Sequence, residues 1–382
     1  MMRHHEDAFG RALALAARLL KQAQRPVCIA GRGSVWGDSS TALLALCDAL
    51  PRLTVASTPG AKGVFPERDP RALGVFGFGG HRRAREAVAE ADVLLVAGSR
   101  LLEQSTGGFH ARLRQGGVIR VDQNAKYAHG AGNEVALTGD VRRVLVRLTE
   151  TIGVARRAQT APLVRAEPAV APYTGPFAVE SNVKPQALMT ALSRLAPEVP
   201  ITADAGNSMC WAIEWLERTR PRDFQASLDW GTMGFAVAAA AGICLARPGS
   251  HAIALTGDGA LAMFGGELHT AVELGLPLVV IALNDSGAGM VRAGCDVWFG
   301  PDAIPNPDYR SRIDLVQYGR AFGAHAASVT SLEEFERALR AALTRGTPTL
   351  LDVRIDPGEI PAAIRERVQG LVAKTATGGG IC

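Results

Sequence analysis

The sequence predicts an α/β protein built from two doubly wound parallel-sheet domains. Three observations predict it. Uncharged runs of strand length, such as Val93-Leu94-Leu95-Val96-Ala97 and Leu278-Val279-Val280-Ile281-Ala282-Leu283, read as strands buried on both faces. Stretches of helical period separate such runs in both halves of the chain. Between 155 and 182 the pattern dissolves into alanine, proline and polar residues, including Pro162, Pro168, Pro172 and Pro176, a composition that cannot bury a core. The expected division is therefore 1–154, a Rossmann-like domain, then a linker at 155–182, then a second α/β domain at 183–382.

The elements follow in order. Residues 8–23 recur apolar at helical period, and Pro26-Val27-Cys28-Ile29-Ala30 reads as a buried strand opening on Gly31-Arg32-Gly33. A dinucleotide loop is disfavoured there, because the glycine spacing is off and no acidic residue follows near Val55 to take a ribose. Helix and strand patterns then alternate: 41–50, 54–56, 82–89, 93–97, 118–121 and 141–149. After Lys184-Pro185 comes a helix, then a strand at Pro200-Ile201-Thr202-Ala203 and the loop Asp204-Ala205-Gly206-Asn207-Ser208. Asn207 and Ser208 either meet an anion at the start of the next helix or simply cap it.

Bulk properties narrow the function. A chain of 382 residues holds two full cores, and 47% hydrophobic with 5% aromatic residues fits a globular protein. The net charge of +4 is spread over scattered arginines, without a basic block interleaved with aromatics, which argues against nucleic acid. The polar start Met1-Met2-Arg3-His4-His5 does not read as a signal peptide, and the apolar run Gly234 to Ala246 is short for a bilayer. Six cysteines without paired spacing read as buried reduced thiols, and a cytoplasmic location is expected.

The chemistry concentrates between Gly257 and Gly287. Gly257-Asp258-Gly259-Ala260 closes one buried strand, and Asn284-Asp285-Ser286-Gly287 closes the next. Carboxylates at 258 and 285 and the backbone carbonyl of Gly287 are hard oxygen donors suited to Mg²⁺ or Ca²⁺, and Mg²⁺ so held usually completes its shell with phosphate oxygens. Carboxyl ends of neighbouring parallel strands are where open α/β sheets bind ligands. The glycine-aspartate-glycine triplet alone is equally an ordinary strand-to-helix turn.

The interval of 27 positions from Asp258 to Asp285 resembles the signature of thiamine-diphosphate (ThDP) enzymes, a Gly-Asp-Gly followed by Asn-Asn, with Asp285 in place of the second asparagine. Asp229-Trp230-Gly231-Thr232-Met233-Gly234 is similar to the acetohydroxyacid synthase branch of that family. The first domain resembles the family's central domain through Lys62-Gly63-Val64-Phe65-Pro66-Glu67, Leu73-Gly74-Val75-Phe76-Gly77, Ala91-Asp92-Val93 to Arg100 and Thr138-Gly139-Asp140-Val141. Asn306-Pro307-Asp308, Gly319 to Ala324 and Pro348 to Pro357 extend the likeness towards the end of the chain.

The resemblance implies a site. ThDP would be bound by Gly206, Asn207, Ser208, Gly231, Met233, Gly257, Asp258, Gly259, Ala260, Asp285, Gly287, Ala288 and Met290, with Met233 as a wedge under the bent cofactor. Asp258, Asp285 and Gly287 would hold Mg²⁺. FAD, carried by some members, is not favoured, because Leu102-Glu103-Gln104 and Asp122-Gln123-Asn124 replace the family's acidic runs. The family's catalytic glutamate sits in a pyrimidine-binding domain that no segment here resembles, so a separate chain is expected to supply it. The expected assembly is a homodimer core within a heterotetramer, acting on a 2-oxo acid and a carbonyl acceptor as an acetolactate synthase-like carboligase. Alternatives are a plain 2-oxo acid decarboxylase, a regulatory ThDP-binding subunit, or a nucleotide binder with a decayed second domain. Gly294 stands where acetolactate synthase has a tryptophan, which implies larger acceptors. Arg292 either meets a carboxylate or lies on the surface, and Trp298 and Phe299 either line the same mouth or pack.

Overall fold

Alternating apolar runs become parallel strands because each is flanked by a helix long enough to carry the chain back across a sheet face. A computed structural model describes residues 2–108, 113, 117–128, 134–153, 168–176, 178–179, 182–300, 309 and 311–376, with side chains from 7 to 370. Most of the expected linker, together with Asn306-Pro307-Asp308 and Cys382, lies outside the described residues. The chain divides into two units, Met1–Ala171 with Glu217–Arg222, and Pro172–Leu216 with Asp223–Cys382.

The first unit holds six strands: β1 (Pro26–Ala30), β2 (Thr54–Ser57), β3 (Ala72–Val75), β4 (Val93–Ala97), β5 (Val118–Asp122) and β6 (Glu134–Thr138). They lie all-parallel in the order β3-β2-β1-β4-β5-β6, with the direction of winding reversing between β1 and β4. At that reversal the glycines of Gly31-Arg32-Gly33 serve packing. Gly31 N–H donates to the Ala97 carbonyl at 2.8 Å and Gly33 N–H to the Gly98 carbonyl at 2.9 Å. A Cβ at Gly31 would overlap the Gly98 carbonyl. Lys62 and Glu67, the two ends of the six-residue stretch Lys62 to Glu67, form a buried ion pair at 2.7 Å, and Glu67 also accepts the Arg218 N–H at 2.6 Å. A cleft of about 650 Å³ in this unit is lined by Trp36, Gly37, Asp38, Gln123, Asp140, Arg142 and Arg143.

The second unit opens with a short antiparallel pair, β7 (Ala178–Val179) and β8 (Asn182–Val183). Its sheet contains β9 (Ile201–Ala203), β10 (Phe224–Ala226), β11 (Ala252–Gly257), β12 (Leu278–Asn284), β13 (His325–Val329) and β14 (Thr349–Arg354). The order is β10-β9-β11-β12-β14-β13, all parallel. Winding reverses between β9 and β11, so the crevice outside their carboxyl ends is the natural ligand position. Every residue of β12 is buried, which requires the helices that cover both faces. One of them, Phe235–Ala246, buries Ala236, Val237, Ala240, Ala241 and Cys244. Among the described residues, no helix is long and apolar enough to cross a membrane. Cys28, Cys47, Cys210 and Cys244 are buried free thiols, and burial pushes Cys28 and Cys210 up to about 12.

Candidate functional site

The register of β11 on β12 pairs Gly257 with Leu283, and that of β9 on β11 pairs Ala203 with Leu255. Three loops therefore leave the sheet side by side: Asp204 to Ser208, Gly257 to Ala260, and Asp285 to Gly287. This is how residues 27 positions apart meet. Asp258 is buried, and its Oδ1 accepts the Gly259 N–H at 2.8 Å. Backbone N–H groups of Ser286 and Gly287 also reach the Asp258 carboxylate.

The electrostatics follow from two carboxylates in a dry corner. Burial, and then the charge of Asp285, push Asp258 up to about 6. Burial also raises Asp285, opposed chiefly by the Arg292 guanidinium, whose Nη2 lies 2.8 Å from Asp285 Oδ2. Paired buried carboxylates that resist ionising together are a cation site in waiting. Asn284 does not share that role. Its Nδ2 donates to Asp352 Oδ1 at 2.7 Å and its Oδ1 accepts the Ser286 N–H at 3.1 Å, bracing the turn. The turn needs bracing because Ser286 has φ +57, a left-handed conformation costly for a residue with a side chain.

Asn207 and Ser208 part company. Ser208 Oγ donates to the Asp204 carbonyl at 3.0 Å, a structural bond within the helix start. Asn207 Oδ1 is buried without a hydrogen-bond partner among the described residues, and neither side chain caps the helix Asn207–Trp215. A Cβ at Gly289 would overlap Asp285 Oδ2 and lie 3.1 Å from Asn207 Nδ2, so this glycine lets the three groups converge. Two hard carboxylates, an orphaned amide oxygen and a glycine-lined cradle fit a divalent cation holding a diphosphate.

Of the other expected residues, Gly231, Met233 and Gly234 lie in the loop ahead of the helix Phe235–Ala246, with φ +60 at Gly231 and φ +83 at Gly234. Met233 is exposed, as is Trp230. Ala260 is buried in the helix Asp258–Phe264, while Gly287, Ala288 and Met290 lead into the helix Gly289–Phe299. Among the described residues, nothing lies within 4 Å of a Cβ built on Gly294.

Two participants, Asp204 and Tyr309, are not marked as site residues by the sequence, and a third, Arg292, has a different partner from the one expected. Asp204 is fully buried, takes the Thr256 hydroxyl at 2.6 Å and the Ala236 N–H at 2.9 Å, and so ties the β11 tip to the start of the methionine loop's helix. Its position directly after a strand and before Gly206 was a visible signal. Tyr309 hangs over the cradle, its N–H donating to the Ser286 carbonyl at 3.0 Å and its hydroxyl 2.5 Å from a Cβ built on Gly259. No spacing rule points to it. Arg292 was seen, but its carboxylate partner is the site's own Asp285.

Comparison with known proteins identifies both domains. Residues 204–353 match the model of the C-terminal TPP binding domain of thiamine pyrophosphate enzymes, and residues 13–148 match their central domain. The chain is 31% identical over 360 residues to the acetolactate synthase large subunit of Parasynechococcus marenigrum, covering 93% of this chain and 58% of that protein. It is 29% identical over 354 residues to a probable acetolactate synthase large subunit of Methanocaldococcus jannaschii, covering 90% and 60%. With the isozyme 2 large subunit of Escherichia coli it shares 29% identity over 347 residues, covering 89% and 62%. The chain thus spans about three fifths of the length of these curated relatives. Through both matched domains and these likenesses, the chain belongs to the thiamine pyrophosphate (thiamine diphosphate) enzyme family, in its acetohydroxyacid synthase-like branch.

Proposed function

We propose that this chain binds ThDP through Mg²⁺ and works as the large subunit of a carboligase that decarboxylates a 2-oxo acid and passes the acyl unit to a carbonyl acceptor. The observation that carries this reading is buried Asp258 beside largely buried Asp285 at adjacent strand ends, next to an Asn207 amide oxygen without a hydrogen-bond partner among the described residues. When bound, ThDP supplies a nucleophilic thiazolium C2 and an electron sink for decarboxylation. The chain's own residues bind and orient it. Asp258, Asp285 and the Gly287 carbonyl hold the metal; Gly206, Asn207, Ser208 through its backbone N–H, Gly257, Gly259 and Ala260 receive the diphosphate. Gly231, Met233, Ala288 and Met290 fix the ring end, with Met233 as the wedge. Burial of the carboxylates excludes water from the metal and strengthens its hold on phosphate oxygens.

The proton relay that prepares C2 belongs, in this reading, to a glutamate of a pyrimidine-binding domain on a separate polypeptide. Trp230, Met233, Met263, Phe264, Val291 and Phe299 are exposed on segments beside the site loops, an apolar rim that such a domain would cover in a heteromer built on a dimer of this chain. For the first unit we propose a scaffold role without FAD, supported by Leu102-Glu103-Gln104 and Asp122-Gln123-Asn124. The test is hydrogen–deuterium exchange at C2 of ThDP, measured with the chain alone and with the product of any neighbouring reading frame of pyrimidine-domain size. Exchange should be slow alone and fast with the partner. Fast exchange by the chain alone would defeat the split site, and none with the partner would leave a regulatory ThDP-binding subunit.

A further inference from the structure

The second unit places a cation where the sequence departs from its family. At position 285 the resemblance implies an asparagine, and this chain has an aspartate, which adds one negative charge beside a diphosphate. The Arg292 guanidinium meets that charge, with Nη2 2.8 Å from Asp285 Oδ2 and 3.3 Å from the Pro357 carbonyl. Both side chains are largely buried, at 17% and 12% exposure, so solvent screens the pair little. Gly289 makes the contact possible: a Cβ there would overlap Asp285 Oδ2 and stand 3.5 Å from Arg292 Nη2.

We infer that Arg292 is a positioning residue of the metal–diphosphate site, neutralising Asp285 and fixing its carboxylate so that an aspartate can serve where an asparagine is expected. This rests on the ThDP reading above. The charge count supports it. An asparagine site offers one carboxylate, Asp258; this site offers Asp258 and Asp285 with Arg292, which sum to the same single negative charge. Arg292 Nη2 bonds Asp285 Oδ2, and in this inference Oδ1 is the oxygen that serves the metal. Arg292 is thereby committed to the cofactor's anchor and is not a receptor for a substrate carboxylate.

The test is calorimetric titration of the full chain with ThDP at saturating Mg²⁺, which reads binding and not turnover. Arg292→Ala should weaken binding about tenfold, equivalent to about 1.4 kcal/mol, because it leaves Asp285 uncompensated beside the diphosphate. Asp285→Asn together with Arg292→Ala should return affinity to within about threefold of the parent, a rescue that only coupled residues give. Arg292→Lys should fall between the two, and with the paired substitution it carries the test if Arg292→Ala does not fold. Unchanged or tighter binding by Arg292→Ala, or a paired variant no better than the single one, would overturn the inference. Asp258→Ala separates this from failure of the site itself: if that variant binds ThDP like the parent, the ThDP reading is wrong and not only the role of Arg292.

Discussion

Replacing Asp258 by asparagine should stabilise the cofactor-free chain while destroying its metal site. The carboxyl is raised from 3.8 to about 6 by burial first and the neighbouring Asp285 second. A carboxyl with a raised folded value binds protons more tightly folded than unfolded, so its ionisation costs stability, fully so above pH 6. At about 1.4 kcal/mol per pH unit, the interval from 3.8 to about 6 corresponds to roughly 3 kcal/mol at pH 7.5. The same linkage leaves a cost of roughly 1 kcal/mol at pH 4.5, where most of the folded carboxyl is protonated. Asparagine keeps an oxygen for the Gly259 N–H, which donates to Asp258 Oδ1 at 2.8 Å, and carries no charge. Differential scanning calorimetry of cofactor-free protein is the assay. For a unit of this size the Asp258→Asn midpoint should rise by roughly 6–12 °C at pH 7.5 and by about a third of that at pH 4.5. Equal midpoints at pH 7.5, or a gain that does not shrink on acidification, would refute the reasoning. For a carboxylate proposed to hold a metal, such a stability cost in the metal-free chain is the expected trade.

Other substitutions probe the same corner. Gly289→Ala should force Asp285 Oδ2 back by roughly 1 Å and weaken ThDP–Mg²⁺ binding at least about tenfold, with little change in the cofactor-free midpoint, as titration and calorimetry would show. Asp204→Ala strands the buried Thr256 hydroxyl and Ala236 N–H and should cost about 2–4 kcal/mol in denaturant unfolding, with Asp204→Asn recovering part of it. Gly294→Trp enters open space, so it should fold like the parent and narrow the range of carbonyl acceptors in a product assay. Affinity for ThDP–Mg²⁺ should fall about tenfold per pH unit below about 6, because Asp258 must lose its proton to bind metal.

Buried parallel strands announce themselves, and that is why much of the fold was legible. Runs such as 93–97 and 278–283 are apolar on both faces because helices cover both, and the structure gives them the central places β4 and β12. Edge strands carry weaker signals. β13 reads His325-Ala326-Ala327-Ser328-Val329, with Val329 its one buried residue, and β10 is three residues long, so neither stood out from its surroundings. The facing aspartates were legible because neighbouring parallel strands in register bring their tips together whatever lies between. Asp204 was legible in its position after a strand but not in its burial, which depends on where the helix Phe235–Ala246 begins. Tyr309 reaches Gly259 across 50 positions of sequence, a distance no local pattern encodes. Arg292 read equally as a carboxylate contact or a surface arginine, and the turn of the helix Gly289–Phe299 places it against Asp285.

The most direct measurement is titration of the purified chain with ThDP, with and without Mg²⁺, for the parent, Asp285→Asn and Asp285→Ala. A metal–diphosphate site on Asp258 and Asp285 predicts Mg²⁺-dependent binding that Asp285→Asn retains and Asp285→Ala loses. Binding by Asp285→Ala as tight as the parent's, or parent binding that ignores Mg²⁺, would contradict it.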